Sequence, residues 1–432
     1  MKLHLFKALC LLLSLCALLC FSACQKNAPP PGNTETKPDP ATETKTEDPQ
    51  ETVQATPAKL LSTEKSLYNN FEWSESFDRL LVQSEHSYVT LSETSAASYP
   101  KLAQTLSSIA TMQEKAMGEE FDNLVSLAKD AESADPASFE TYVSTLEVTV
   151  RRADSTVLSL LSDSYSHYGA IQNLRVFHGS NFDSESGKEL QLSQVVKTGD
   201  DLISAVETEL KKLSLTGELS PENGIKDFFE NTEEITNWVL DYNGITFFFS
   251  ADEVAEGSRT VTLPFDLYPE LFEKKYTAAP KAFAVEFPLD LPFFGQKNTA
   301  REAVSVSGCD FDNERLRYTK YGVYLGDRAV EEECFASDLL PYFVKTEQGN
   351  YLYLFLEDLN EGLHDMSLVV YSIHSDGSIK QCGKAELSPA WQMDHRFTVP
   401  TDPAALLLSE LGSATLYSVG ADGLPAKLAP AS

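Results

Sequence analysis

Between Tyr99-Pro100 and Asp135-Pro136 one apolar series runs unbroken: Leu102, Leu106, Ile109, Met112, Ala116, Phe121, Leu124 and Leu127. Steps of three to five residues trace one face of a helix of about seven turns. Pro100 is tolerated in the first turn, and Pro136 pushes the residue before it out of helical geometry. Around this helix the period changes to two. Phe77 to Leu91 holds short alternating runs, and Tyr142, Leu146, Val148 and Val150 alternate with Val143, Thr145, Glu147 and Thr149, the pattern of half-buried strands. A long helix among such strands predicts an α+β unit.

A second unit follows. Leu174 to Phe182 reads as a strand, and Asp183 to Lys188 as a turn in which Gly187 can take a positive φ. Asp200 or Asp201 can cap a helix with Leu202, Val206, Leu210 and Leu213 as its buried stripe. A short helix after Pro221 carries Ile225, Phe228 and Phe229. Asn237 to Asp241 and Ile245 to Phe249 then read as strands joined at Asn243-Gly244, and Val261 and Leu263 close the unit. Beyond Thr277 the helical period disappears. Tyr318 to Leu325, Tyr351 to Glu357, Ser367 to His374 and Ala414 to Val419 read as strands. The segments beginning at Tyr371 and Tyr417 both end in an Asp-Gly turn, and two similar hairpins explain the echo better than propeller blades. The expectation is α+β: two small α+β domains of antiparallel strands and packed helices, residues 66–168 and 169–276, followed by an all-β domain, residues 277–432.

The first 65 residues belong to neither pattern. Lys2 and Lys7 precede the 14-residue apolar run Ala8 to Phe21, which suits a secretory leader and is short for a membrane span. Phe21-Ser22-Ala23-Cys24 has the form of a bacterial lipobox, with small residues ahead of the cysteine. The expectation is a signal peptide over 1–23, cleaved before Cys24, with Cys24 lipidated. Residues 24–65 then read as a disordered tether. Gln25 to Lys59 holds seven Pro, seven Thr and no aromatic residue, too little apolar surface to offset the entropy of ordering. The protein is therefore expected at the cell membrane, anchored by lipid and facing the extracytoplasmic space.

Charge narrows the partners. Thirty-four Lys and Arg stand against 65 Asp and Glu, a formal net charge of −31. Loss of Lys2 and Lys7 with the leader makes the mature chain more acidic still. This excess opposes binding to a nucleic-acid backbone, and the expected compartment excludes it as well. A basic protein, a neutral ligand and simple solubility remain compatible with it.

Three residues groups bear on chemistry. Only Cys309, Cys334 and Cys382 lie in the folded body; with no CxxC spacing they read as core residues that form at most one disulfide. His364 and His374 lie near Asp365 and Asp376, which suggests a metal site less readily than scattered surface histidines. No nucleophile elbow, HExxH, P-loop or GxGxxG motif occurs. No catalytic residue, metal or cofactor is assigned, and a non-enzymatic protein is expected. Tyr351, Tyr353 and Phe355, with Tyr318, Tyr321 and Tyr324, could stack on the sugar rings of peptidoglycan, although alternating aromatics more often face a sheet core.

The middle of the chain resembles the extracytoplasmic region of RsiV-type anti-sigma factors, a pair of adjoining domains of unknown function also found beside peptidoglycan deacetylases and in lipoproteins. Tyr99-Pro100-Lys101-Leu102, Asn181-Phe182-Asp183, Gly187-Lys188-Glu189-Leu190 and Gly244-Ile245-Thr246-Phe247-Phe248-Phe249 carry the resemblance. Glu253-Val254-Ala255, Gly257 and Val261-Thr262-Leu263-Pro264-Phe265 continue it, so that about residues 70–275 are covered. Two places depart. Tyr168-Gly169-Ala170-Ile171 lacks the family's histidine, and the stretch from Glu253 to Gly257 is short. No sigma-binding segment precedes the leader, so an anti-sigma role is not expected. The resemblance implies a ligand-binding ectodomain of the cell envelope, whose partner could be a basic protein such as lysozyme; the alternative is a peptidoglycan-binding module acting through the β domain.

Overall fold

The computed structural model describes residues 58–169, 171–197, 199–213, 225–231, 235–250, 254, 258–286, 291–292, 303–312, 315, 317–325, 328–360, 363–374, 376–387, 396–399, 406–410 and 413–427. The leader, Cys24 and most of the expected tether therefore lie outside the described residues. No helix among the described residues is long and apolar enough to cross a membrane.

The first part of the chain forms β1 (Thr63–Ser74), β2 (Arg79–Leu91), α1 (Glu93–Ser98), α2 (Pro100–Ala134), β3 (Tyr142–Ala153), β4 (Val157–Tyr168) and β5 (Ile171–Asp183). Hairpin β1–β2 pairs Thr63 with Leu91 through to Ser74 with Arg79, with a bulge near Glu72 and Trp73. α2 then crosses one face of the sheet, so β3 returns parallel to β2, the geometry such a crossover dictates. β3, β4 and β5 continue antiparallel. The sheet thus runs past residue 168, with β5 as its outer strand.

α2 has Pro100 in its first turn and ends at Asp135, whose extended φ of −148° precedes Pro136. Its buried residues are Leu102, Leu106, Met117, Leu124, Ala128 and Glu132, whereas Ala116 and Leu127 are exposed. The expected stripe is corrected by the drift of a 3.6-residue period over so long a helix.

Next come α3 (Leu192–Val195), α4 (Asp200–Leu213), α5 (Ile225–Asn231), β6 (Trp238–Leu240), β7 (Gly244–Phe249), β8 (Arg259–Pro264) and α6 (Lys274–Thr277). One core joins Leu202, Val206 and Leu210 of α4 to Trp238, Phe247, Phe249, Val261 and Leu263 of this small sheet. Asp200 and Asp201 both lie inside α4. The carbonyl of Gly199 receives the first helical hydrogen bond, from Ile203, so neither aspartate occupies the expected cap position.

The remaining strands are β9 (Phe283–Glu286), β10 (Leu291–Pro292), β11 (Ala303–Asp312), β12 (Arg317–Leu325), β13 (Arg328–Ala336), β14 (Asp338–Lys345), β15 (Asn350–Asn360), β16 (Leu363–Ile373), β17 (Ile379–Leu387), β18 (Arg396–Val399), β19 (Leu406–Glu410), β20 (Ser413–Val419) and β21 (Pro425–Lys427). Sheets β10–β13 and β17-β16-β15-β14-β9 enclose a core of Val304, Tyr321, Val323, Leu352, Leu354, Val369 and Tyr371. A second cluster, with Tyr353, Phe355, Leu368 and Val370, is covered by Tyr417, Val419 and Leu424. β18 leaves this region to pair with Thr63–Ser66 of β1. The fold is α+β, as the sequence predicts, with one parallel strand pair, β2–β3, among the described residues.

Candidate functional site

The segments that carry the family resemblance meet in space. Gly187 turns at φ +66°, and a Cβ there would stand 2.7 Å from the backbone carbonyl of Lys101. Thr105 Oγ1 donates to the Gly187 carbonyl at 3.0 Å. The turn after β5 is thereby seated on the first turn of α2. Asn181 joins three strands: its Oδ1 accepts from Ser159 Oγ at 2.6 Å and from the Leu240 amide at 3.0 Å, while its Nδ2 donates to the Trp238 carbonyl at 3.0 Å. A Cβ at Gly244 would stand 2.2 Å from the Leu263 carbonyl oxygen, so only glycine admits that approach. These residues hold the fold together. Beside them lies a cavity of about 650 Å³ lined by Lys59, Ser98, Tyr99, Lys101, Ser155 and Glu185.

Buried charge concentrates where the sheets meet. Arg151 Nε donates to Asp241 Oδ1 at 2.8 Å, and Arg152 Nε to Asp154 Oδ2 at 2.7 Å. Arg152 also donates to the carbonyls of Tyr276 and Ala278, each at 2.7 Å. Asp241, Tyr242 and Asn243 are all buried, so the β6–β7 turn expected at Asn243-Gly244 plunges into this junction. The Tyr242 hydroxyl accepts from the Ala153 amide at 3.0 Å, and burial pushes its pKa far above the usual phenol range. Lys65 bridges to Glu286 at 3.2 Å and Glu147 at 3.5 Å. Every charge here faces another part of the same chain, as a structural junction requires.

A serine, a histidine and a glutamate do come together beneath α2. Ser144 Oγ donates to Glu120 Oε1 at 3.0 Å and lies 3.4 Å from His86 Nε2. In a nucleophilic relay the histidine stands between serine and acid; here the serine is in the middle, and His86 Nδ1 has no partner. Ser144 and His86 are buried, and burial holds His86 down at about 4. Burial also raises the Glu120 carboxyl, against the hydrogen bond from Ser144. The cluster has the residue types of catalysis and the geometry of a helix–sheet contact.

In the β region, Tyr321, Tyr351, Tyr353 and Phe355 are buried. The Tyr321 and Tyr371 hydroxyls bond each other at 2.6 Å, and Tyr353 donates to the Gly423 carbonyl at 2.6 Å. Core packing thus claims the aromatics considered for sugar stacking; Tyr318 and Tyr324 are half-buried. The side chain of His364 lies outside the described residues, and His374 is exposed beside Ser372 Oγ at 3.1 Å. No cluster of three metal-ligating side chains occurs among the described residues. The cysteine expectation needs correction. Cys309 is exposed, its sulfur 3.1 Å from the Tyr324 hydroxyl, because the β11 bulge around Gly308 to Phe311 turns it outward. Cys334 and Cys382 are half-buried, and all three thiols are free. Burial pushes the Cys334 thiol up to about 11.

What the sequence left unassigned is the surface at the tip of hairpin β1–β2. Phe71, Trp73 and Phe77 are 47%, 59% and 50% exposed. Glu75 and Asp78 are exposed beside them, and Glu85 is half-buried on β2. The signal available in the sequence was three large aromatics interleaved with Glu72, Glu75 and Asp78 between Phe71 and Asp78.

No family model and no curated protein matches this chain. Among solved structures, it is similar to a DUF3298 family member from Bacteroides fragilis, with 14% identity, a TM-score of 0.36, and coverage of 51% of this chain and 96% of that one. A DUF3298 family protein from Pseudomonas aeruginosa gives 13% identity, a TM-score of 0.34, and coverage of 51% and 97%. Likenesses this distant carry no functional argument.

Proposed function

We propose that this chain is a lipid-anchored, non-enzymatic protein of the cell envelope, held at the extracytoplasmic face through Cys24, whose folded region binds a strongly basic protein such as lysozyme. The observation that carries this reading is the net charge of −31. On the outer face of α2, Glu114, Asp122 and Asp130 are exposed and form no ion pair among the described residues. Glu75 and Asp78 add to this field on the hairpin. Such a surface raises the encounter rate with a cationic partner and loses that advantage as salt screens it. The lipobox-like segment Phe21 to Cys24 and the Pro/Thr-rich tether support a position outside the membrane, where the field can meet a soluble basic protein. The glycan-binding alternative draws no support from Tyr351, Tyr353 and Phe355, because their rings are packed inside.

Capture on immobilised lysozyme tests the reading. Retention is expected at low salt and should weaken at physiological salt. No retention at either salt concentration would overturn it.

A further inference from the structure

The tip of hairpin β1–β2 combines three features that an ordinary solvated turn does not need. The first is exposed aromatic surface on one side of the strand. Glu72 and Ser74 point to α2, where they meet Lys129 at 2.6 Å and Glu132 at 2.9 Å. Strand alternation therefore places Phe71 and Trp73 on the opposite face, together with Gln83 and Glu85, since Phe71 pairs with Gln83. Phe77 stands at the turn itself. The second feature is rigidity. Arg79 Nε is fixed to buried Glu132 at 2.8 Å, and its guanidinium lies 4.9 Å from the Phe77 ring centre and 5.2 Å from that of Phe139. Phe77 is thus held in place before any partner arrives, which lowers the entropy cost of binding.

The third feature is unbalanced charge. Glu75, Asp78 and Glu85 form no ion pair among the described residues. The cations beside the tip are already engaged: Arg79 by Glu132 and Lys129 by Glu72. Exposed aromatic rings bordered by unpaired carboxylates suit Arg and Lys side chains, whose stems lie on the rings while their heads reach the acids. A bilayer is a poor match, because Glu75 and Asp78 would have to enter it with Phe77. A second copy of the chain would bring like charges together.

We infer that the β1–β2 tip, with Trp73 and Phe77 at its centre, is the docking surface for a cationic protein. The inference rests on the proposed function and specifies where that partner sits.

The full-length chain in mild detergent, titrated with lysozyme as the basic probe at low salt, tests both levels. Trp73→Ala and Phe77→Ala are each expected to weaken binding by about tenfold or more, with the thermal midpoint unchanged. The double variant Glu75→Lys/Asp78→Lys should weaken it further. Glu114→Lys/Asp130→Lys, which changes net charge equally on α2, should weaken it by less than about threefold, as expected for charges outside the contact. Wild-type binding that all three hairpin variants retain would overturn the docking surface and leave the basic-partner reading standing. No wild-type binding would overturn that reading, and this inference with it. Hairpin-dependent attachment to zwitterionic vesicles, or hairpin-dependent dimerisation, in place of lysozyme binding would also overturn it.

Discussion

His86 sits in an environment that its sequence neighbourhood does not suggest: it is buried. It lies on β2 beneath α2, beside Ser144, whose hydroxyl in turn donates to Glu120. Its folded pKa of about 4 lies below the ordinary 6.5. Between those values the unfolded chain takes up a proton that the folded chain refuses, so stability falls as pH drops through that window. The full loss is about 3 kcal/mol. Glu120 acts in the opposite sense: its raised pKa favours folding at acid pH, and that contribution fades as pH rises through the folded value. Denaturant titrations at pH 7 and pH 5 should show the wild type losing stability and His86→Gln losing less. Glu120→Gln should steepen the acid loss. Equal slopes in wild type and His86→Gln would rule out the histidine as the cause. None of this was legible in the sequence. Helical periodicity marks apolar positions, whereas Glu120 and Glu132 occupy the same face as carboxylates, made acceptable only by Ser144, Ser74 and Arg79 on distant strands.

Elements were read more securely where a local rule suffices. Pro100 and Pro136 bound α2 because proline restricts its own φ and its predecessor, and the helix spans Pro100–Ala134. The two Asp-Gly echoes are the same turn: Gly377 and Gly423 take φ values of +78° and +85°. Each donates its amide to the carbonyl three residues earlier, and Asp376 and Asp422 each accept an amide hydrogen bond two residues on. Side-chain destination was less legible. Alternating tyrosines could face either side of a sheet, and only tertiary packing assigns Tyr321, Tyr351 and Tyr353 to the interior. Gly187 shows how a local rule and a long-range contact act together. Its positive φ was expected, but its closeness to the Lys101 backbone depends on α2, more than 80 residues away. Gly187→Ala is expected to cost about 3 kcal/mol, from the backbone conformation together with the collision. Gly187→Asn relieves mainly the first contribution, because asparagine tolerates that conformation yet still brings a Cβ. Thermal unfolding should therefore place Asn between glycine and alanine. A midpoint for Asn equal to wild type would show that the contact with α2 is not confining.

At the scale of the molecule, the described residues belong to one compact unit. The contacts responsible cross residue 276 repeatedly. Arg152 of β3 holds the carbonyls of Tyr276 and Ala278, Lys65 of β1 pairs with Glu286 of β9, and the Tyr242 ring stacks on Phe283 with centres 4.0 Å apart. β18 adds a strand to β1 from more than 300 residues away. Breaks in hydrophobic period show where elements change but cannot reveal such pairings, because each partner alone reads as an ordinary strand or turn. The consequence can be measured by ending the chain after Tyr276. That truncation uncovers the Tyr242 ring, removes the buried carboxylate facing Lys65 and leaves one Arg152 donor without its carbonyl, losses that each cost stability when the groups remain away from water. The shortened chain is expected to melt well below the full chain and to bind a hydrophobic dye before melting. Identical melting of the two would mean that the junction transmits no stability across residue 276. Since hairpin β1–β2 begins at the strand tied to both β9 and β18, the same truncation should loosen the end of β1 opposite the aromatic tip. Hydrogen exchange at Thr63 to Ser66 should accelerate more than at Phe71 to Trp73, where α2 still supports the strand through Glu72 and Ser74.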